Sequence, residues 1–216
     1  MMVPSPPLHH DMWVIPLLVM AAVNLITILT YWVCKTCHPP RPPFLSQCLL
    51  LGLLLGSALG FAFAVEQSDF ICVAIRMGTG ISYVVIYASL MVKQVFLISL
   101  NTSVYLPVMY QILLFSFCVL VQIAISVQWL IVGLPSQFNS KDHILSLLYI
   151  FFLVIFVTLL SIKSLHIKAN AQESPTICLL MIITISVWII WPVAANLLPK
   201  TYHKAAFGKI VKFLLK

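Results

Sequence analysis

Charged residues are scarce in this sequence. Only 8% of its 216 residues are Asp, Glu, Lys or Arg, and five of them are acidic. Because soluble domains carry about a quarter charged residues, this scarcity excludes a soluble globular fold. The acids lie between apolar runs or at the ends of runs, so no pair of carboxylates and no His–Asp pair is available inside a run. We therefore do not expect an enzyme.

Cysteine is also scarce, with six residues. Cys34 and Cys37 have the C-x-x-C spacing of half a zinc site, but no second pair completes the four ligands that structural zinc requires. No metal or other cofactor is therefore expected. Cys34 ends an apolar run and Cys37 follows it by three residues, which makes them candidates for S-palmitoylation beside a membrane.

The sequence does contain long apolar runs, and 62% of its residues are hydrophobic. A helix needs about 20 apolar residues to cross a bilayer. The runs of about this length cover residues 12–34, 45–65, 71–99, 107–133, 144–162 and 176–198. This pattern predicts an all-α polytopic transmembrane helix bundle over 12–198, with a short N-terminus (1–11) and a basic C-terminal tail (199–216).

Basic residues outnumber acids and give a net charge of +7. Their positions between the runs are typical of residues that set topology and contact lipid head groups, so membrane lipids rather than nucleic acid are the expected partners. An extracellular N-terminus places most of the basic loop residues in the cytoplasm, as the positive-inside rule favours. These residues are Lys35, Arg41, Lys93, Lys163 and Lys168. We expect an integral membrane protein of the plasma membrane in this orientation.

Lys93 is a cation within the third apolar run. A charge at bilayer depth costs at least about 2.5 kcal/mol, so the lysine must lie near water or have a partner. Lys93 follows Cys72 by 21 residues, which is about 31 Å of helix and close to the hydrocarbon thickness. Two interpretations are open: Lys93 extends its stem to water at the inner rim, or it pairs with Glu173, the one acid predicted on the cytoplasmic face.

Most of the polar side chains inside the runs, a set that includes Gln122 and Thr184, are expected to form hydrogen bonds between helices. Tyr83 and Tyr87 lie one helical turn apart in the third run. If they share an inward face with Trp188 of the sixth run, the three form a candidate bundle pocket. The alternative for these aromatic residues is core packing.

The third run has a pattern of spaced residues that continues downstream. It comprises Cys72, Arg76, Gly80, Tyr83, Ser89, Leu90 and Lys93 in the third run, Val121, Gln122 and Trp129 in the fourth, and Lys163, Glu173 and Trp188 further on. In this order, over residues 13–191, these residues resemble the transmembrane domain of class C G-protein-coupled receptors, the metabotropic glutamate type. The segment "LMVKQVFLISLN" and the Pro-rich first loop look closest to the bride of sevenless branch.

The resemblance implies a seven-helix receptor fold with a signalling role. It implies a heterotrimeric G protein and a homo- or heterodimer as partners, and it leaves the ligand unknown. In this family the residues that match Lys93 and Glu173 form an ionic pair between the third and sixth helices. The alternative function is a six-span membrane protein that is not a receptor, either a carrier or a partner-binding scaffold.

Three features depart from the family. Only eleven residues precede the first run, so the large extracellular ligand-binding domain is expected to be missing. Cys72 resembles a cysteine that pairs with the second extracellular loop, but here that loop has no cysteine. "PKTY" (199–202) resembles the end of the seventh helix, yet only ten residues separate Trp188 from Pro199. Together with the five lysines of the tail, which six spans would place outside, this indicates a truncated form that lacks most of the seventh helix.

Overall fold

The helices of this protein account for almost all of the residues that its computed structural model describes. These residues are 14–37, 44–64, 69–102, 106–133, 140–165 and 173–197. Within them the chain forms six α-helices and no strand. The helices are α1 (Val14–Cys37), α2 (Phe44–Ala64), α3 (Asp69–Asn101), α4 (Val108–Gly133), α5 (Ser140–Ser164) and α6 (Glu173–Leu197). Each predicted run corresponds to one helix, so the all-α fold class is confirmed.

The four helices α1 to α4 are long and apolar enough to cross a membrane. In α5 and α6 the apolar helical segments with described side chains are shorter, at Leu148–Ser164 and Pro175–Ile190. The structure begins α5 at Ser140, four residues before the predicted run, because the polar residues of 140–143 join the helix.

Proline explains several helix boundaries. Pro39 follows the last residue of α1 by two positions, and Pro43 immediately precedes α2. Proline disfavours continuation of a helix because its ring clashes with the preceding turn and it lacks an N–H group, although α6 continues through Pro192. At a helix start it costs no hydrogen bond, which fits Pro107 just before α4 and Pro175 in the first turn of α6.

Burial in this protein is inverted relative to a soluble domain. Large apolar side chains such as Met109 and Ile131 are more than 70% exposed, whereas Gln94 and Gln122 are almost fully buried. Soluble proteins show the opposite distribution. The exposed apolar surface is the surface that lipid covers, and the protein is an integral membrane protein.

Hydroxyl groups inside the helices bond mainly to their own backbone. Thr27, Thr158 and Thr184 each donate to the carbonyl oxygen four residues earlier, over 2.7, 2.7 and 2.8 Å. Thr184 is therefore an exception to the predicted bonding between helices. The hydroxyl of a helical threonine reaches the preceding turn without any help from a neighbouring helix, and local contacts of this kind win.

The chain divides into two compact units, residues 1–89 and 90–216, with the boundary inside α3. In the first unit α1 packs against α2, and glycines of α2 lie at the close approaches. A Cβ atom on Gly60 would lie 3.0 Å from Ala21 Cβ, and one on Gly52 would lie 2.9 Å from Ile86 Cγ1. Glycines four residues apart allow helix backbones to approach closely in membranes, and Gly52, Gly56 and Gly60 have this spacing.

The second unit contains the end of α3 together with α4, α5 and α6. Within it α5 packs against both α4 and α6. The hydroxyl of Tyr149 on α5 donates a hydrogen bond of 2.9 Å to the carbonyl oxygen of Cys118 on α4. Such a bond is valuable in the bilayer because no water is present to replace it.

The close contact at Gly52 predicts a selective loss of stability. In Gly52→Ala the new methyl group would lie 3.0 Å from Val85 Cγ1 and 3.2 Å from the backbone nitrogen of Ile86, so α2 must shift away from α3. Overpacking of this kind costs about 1 to 3 kcal/mol, more than the roughly 1 kcal/mol that alanine gains in helix propensity. We expect a lower thermal unfolding midpoint in detergent.

Gly56→Ala is the matched control for this measurement. A Cβ atom at Gly56 would meet only Ser82 Oγ, at 3.9 Å, which is an ordinary contact. Its unfolding midpoint should therefore stay the same or rise. Equal losses in the two variants would show that the close packing of α2 on α3 is not specific to Gly52.

Candidate functional site at the Lys93 end of the third helix

Lys93 lies in the second half of α3. The helix is unbroken from Asp69 to Asn101, and its described apolar segment runs from Val73 to Leu100, past Lys93. The side chain of Lys93 is half-buried. The position of Lys93 at the membrane rim stays a prediction.

The residue after Lys93 makes a buried polar contact with α5. Gln94 is completely buried, and its Nε2 donates a hydrogen bond of 3.4 Å to Oγ of Ser161. Ser161 is also completely buried. Among the described residues no group bonds to Gln94 Oε1. A buried amide with one unmet oxygen is costly, so the position is held by the packing around it rather than by a saturated network.

Two further hydroxyl groups of α5 lie beside this contact. Ser164 is completely buried and its Oγ donates to the carbonyl oxygen of Ser161 over 2.9 Å. Thr158 is buried one turn earlier and donates to Val154, as described above. We call Gln94, Thr158, Ser161 and Ser164 the Gln94 cluster.

The Gln94 cluster brings the Lys93 end of α3 to the Lys163 end of α5. Lys163 is exposed in the last turn of α5, between two buried serines of the cluster. Lys93 and Lys163 therefore lie at the same end of these helices, as predicted. Only seven residues separate the end of the described α5 region at Leu165 from Glu173, the first residue of α6.

The predicted ionic pair itself falls outside what the structure describes. The backbone of Glu173 begins α6, but its side chain is not among the described residues. The pairing of Lys93 with Glu173 therefore stays a prediction. The side chain of Cys72 and residues 198–216 also lie outside the described residues, so an unpaired Cys72 and a truncated seventh helix stay predictions as well.

Sequence reasoning missed the Gln94 cluster, although α5 carried a signal for it. Thr158, Ser161 and Ser164 recur every three residues, which keeps them on a similar side of a helix. All three are buried in the structure. A stripe of small hydroxyl residues on one face of an apolar helix indicates a helix contact, because small side chains let a neighbour approach.

The candidate pocket residues are only partly brought together. The rings of Tyr83 and Tyr87 stack along α3, with centroids 6.3 Å apart and planes inclined by 18°. Tyr87 is buried, whereas Tyr83 is 41% exposed. Trp188 is half-buried on α6, in the second unit. A pocket that joins the three side chains stays a prediction.

A separate cavity lies along α4. This apolar groove has a volume of about 500 Å³. It is lined by Val95, Leu106, Tyr110, Leu113, Leu114, Ser116, Phe117 and Leu120. None of the predicted pocket residues contributes to it.

Cys34 and Cys37 are both exposed in the last turn of α1. Within the described residues no group of three or more His, Cys, Asp or Glu side chains could hold a metal ion. The pair thus has no additional metal ligands in the part of the chain that the structure describes.

A family model described as "7 transmembrane sweet-taste receptor of 3 GCPR" matches residues 8–214. The matched range includes all six helices, the Gln94 cluster and the "PKTY" segment. The chain belongs to the class C G-protein-coupled receptor transmembrane family. The family resemblance of the sequence is confirmed, while the bride of sevenless branch stays a prediction. No curated protein matches the chain.

Membership in the class C family places the Gln94 cluster in a receptor transmembrane domain. This is a family of receptors, whose members generally have G proteins and dimer partners. The described geometry adds a buried polar contact that joins α3 to α5 next to Lys93. Such a contact fixes the distance between two helix ends at one face of a receptor domain.

The packing of the Gln94 cluster predicts a size limit at Ser161. Ser161→Val removes the partner of Gln94 and forces two methyl groups into a fully buried position, which should cost about 1 to 3 kcal/mol. Ser161→Ala removes only the hydroxyl and should cost about 0.6 kcal/mol, as such bonds do in membrane proteins. Thermal unfolding in detergent measures both changes.

Ser186→Val controls for the substitution itself. Ser186 lies exposed on α6, with its hydroxyl bonded to its own helix at Ile182 over 2.9 Å. Its unfolding midpoint should be unchanged. If Ser161→Val is as stable as the parent, the Gln94 cluster is not tightly packed and its role in positioning α3 is wrong.

Proposed function

We propose that this chain is the signalling domain of a class C receptor of the bride of sevenless type, and that the helix ends around Lys93 form its switch. A ligand on the extracellular side, or a partner chain, that prefers the open state separates these ends. The separation exposes a surface for a heterotrimeric G protein. The match of the family model to residues 8–214 supports the assignment to the class C receptors. The observation that carries the switch is the buried hydrogen bond between Gln94 and Ser161.

The geometry around Lys93 suits a switch because its interactions are individually weak. A hydrogen bond between membrane helices is worth about 0.6 kcal/mol on average. A partly buried ionic pair has a modest net value, since desolvation offsets the attraction of the charges. Breaking both contacts therefore costs only a few kcal/mol, and a ligand with a small preference for the open state shifts the populations.

Glu173 is the proposed partner of Lys93. It is the first residue of α6, which packs against α5, and α5 in turn contacts α3 through the Gln94 cluster. The short connection from Leu165 keeps Glu173 near the Lys163 end of α5. An acid at this position can reach across to the half-buried lysine and hold α6 near α3.

The Lys93 end is the proposed cytoplasmic end. Lys93 and the exposed Lys163 give this end positive charge, which the positive-inside rule assigns to the cytoplasm. With this orientation the N-terminus is extracellular, the protein lies in the plasma membrane, and a G protein would meet the α5–α6 connection. A homo- or heterodimer is the proposed assembly, as is general for the family.

Exchange of the two charges tests the switch. We expect Glu173→Lys to raise basal G-protein activation several-fold, because two cations repel at the closed helix ends. The double variant Lys93→Glu with Glu173→Lys should return basal activity to the parent value, since the pair is restored with reversed sign. Nucleotide exchange on co-expressed G proteins, normalised to surface protein, measures the effect.

Lys163→Glu is the matched control for the exchange. Lys163 is exposed at the same end, so its reversal changes the local charge without touching the proposed pair. It should not restore the parent activity when combined with Glu173→Lys. Failure of the double exchange to lower the raised activity, at equal surface expression, would refute the pairing.

A further inference from the structure

Cysteine exposure in this protein is concentrated at one place. Among the five cysteines whose side chains are described, Cys34 and Cys37 are exposed, Cys48 is half-buried, and Cys118 and Cys178 are buried. The two exposed thiols lie three residues apart in the last turn of α1. That spacing places them on the same face of the helix.

The last turn of α1 fits a position at the membrane surface. The apolar helix Val14–Cys37 has 24 residues, more than the about 20 that cross the hydrocarbon, so one of its ends reaches the head groups. Lys35, the exposed basic residue of the last turn, favours this end and directly follows Cys34. Positive charge at this level attracts anionic head groups and keeps the helix end at the interface.

The face of α1 that carries the thiols is turned away from the packed side. Buried Ala21 and the half-buried Leu25 and Trp32 mark the packed side. Cys34 follows Trp32 by two residues, or about 200° around the helix, and Cys37 follows it by five, which is equivalent to about 140°. Both thiols therefore point away from the packed side of α1.

We propose that Cys34 and Cys37 are sites of S-acylation by long-chain fatty acyl groups. The sulfur of each cysteine attacks the thioester carbonyl carbon of an acyl-coenzyme A. A new thioester bond to Sγ forms, the bond to the sulfur of coenzyme A breaks, and coenzyme A leaves as the free thiol with the proton of the cysteine. No oxidant or reductant is consumed.

The position fits the product of this reaction. An acyl chain attached at the rim can fold into the hydrocarbon beside Tyr31 and Val33, which are more than half exposed. A chain attached to Cys118 or Cys178 would have to enter the packed interior, because those thiols are buried. The proposal requires that the Lys35 end of α1 face the cytoplasm, where acyl-coenzyme A is available, and it is independent of receptor activity.

Acyl exchange on the full-length chain tests the proposal. Free thiols are blocked, thioesters are cleaved with hydroxylamine, and the released thiols are tagged with a polyethylene glycol maleimide that shifts the gel mobility. The parent should carry up to two hydroxylamine-dependent tags. Cys34→Ser and Cys37→Ser should each lose one tag, and the double variant should lose both.

Cys48→Ser is the matched control. Cys48 lies near the start of α2, a short connection after the end of α1, but its side chain is half-buried. It should keep both tags. Tags that persist in the double variant, or no tag on the parent, would overturn the proposal. Labelling of Cys34 and Cys37 by an impermeant maleimide on intact cells would also overturn it, because the thiols would then be extracellular. None of these readouts depends on G-protein activation.

Discussion

The hydrogen bond between Gln94 and Ser161 holds α3 against α5, and the proposed switch depends on this contact. Both side chains are completely buried, and the bond joins α3 to α5 toward the C-terminal end of each helix. A buried polar group that water cannot reach must find its partner within the protein. The contact therefore determines which end of α5 lies beside Lys93.

The helix α3 is more buried than its neighbours. More than half of the apolar segment of α3 is buried, compared with about a tenth in α1, α2 and α4. Gly52 lets α2 approach α3 in the first unit, and the small Ser161 lets α5 approach α3 in the second. In each unit a small residue on the neighbouring helix replaces a large side chain, which is how membrane helices come close without a hydrophobic driving force.

Helix number and fold class could be predicted from the sequence because bilayer thickness sets a fixed length for an apolar helix. The family could be predicted because spaced residues, among them Lys93, Trp129 and Trp188, resemble the pattern of the class C receptors. The Gln94 cluster could not, since burial of Gln94 depends on which face of α5 packs against it. Thr184 is an exception to the predicted hydrogen bonding between helices for a related reason. Its hydroxyl has a partner in its own helix, which hydropathy does not reveal.

Oxidative crosslinking in native membranes reports whether the Lys93 end of α3 lies beside the start of α6. A disulfide requires Cα atoms within about 7 Å, so it reports adjacency of two helix ends. Lys93→Cys combined with Glu173→Cys should form a crosslink, whereas Lys93→Cys combined with Leu148→Cys, at the opposite end of the apolar part of α5, should not. Absence of the first crosslink, with both thiols reactive toward small maleimides, would contradict the account.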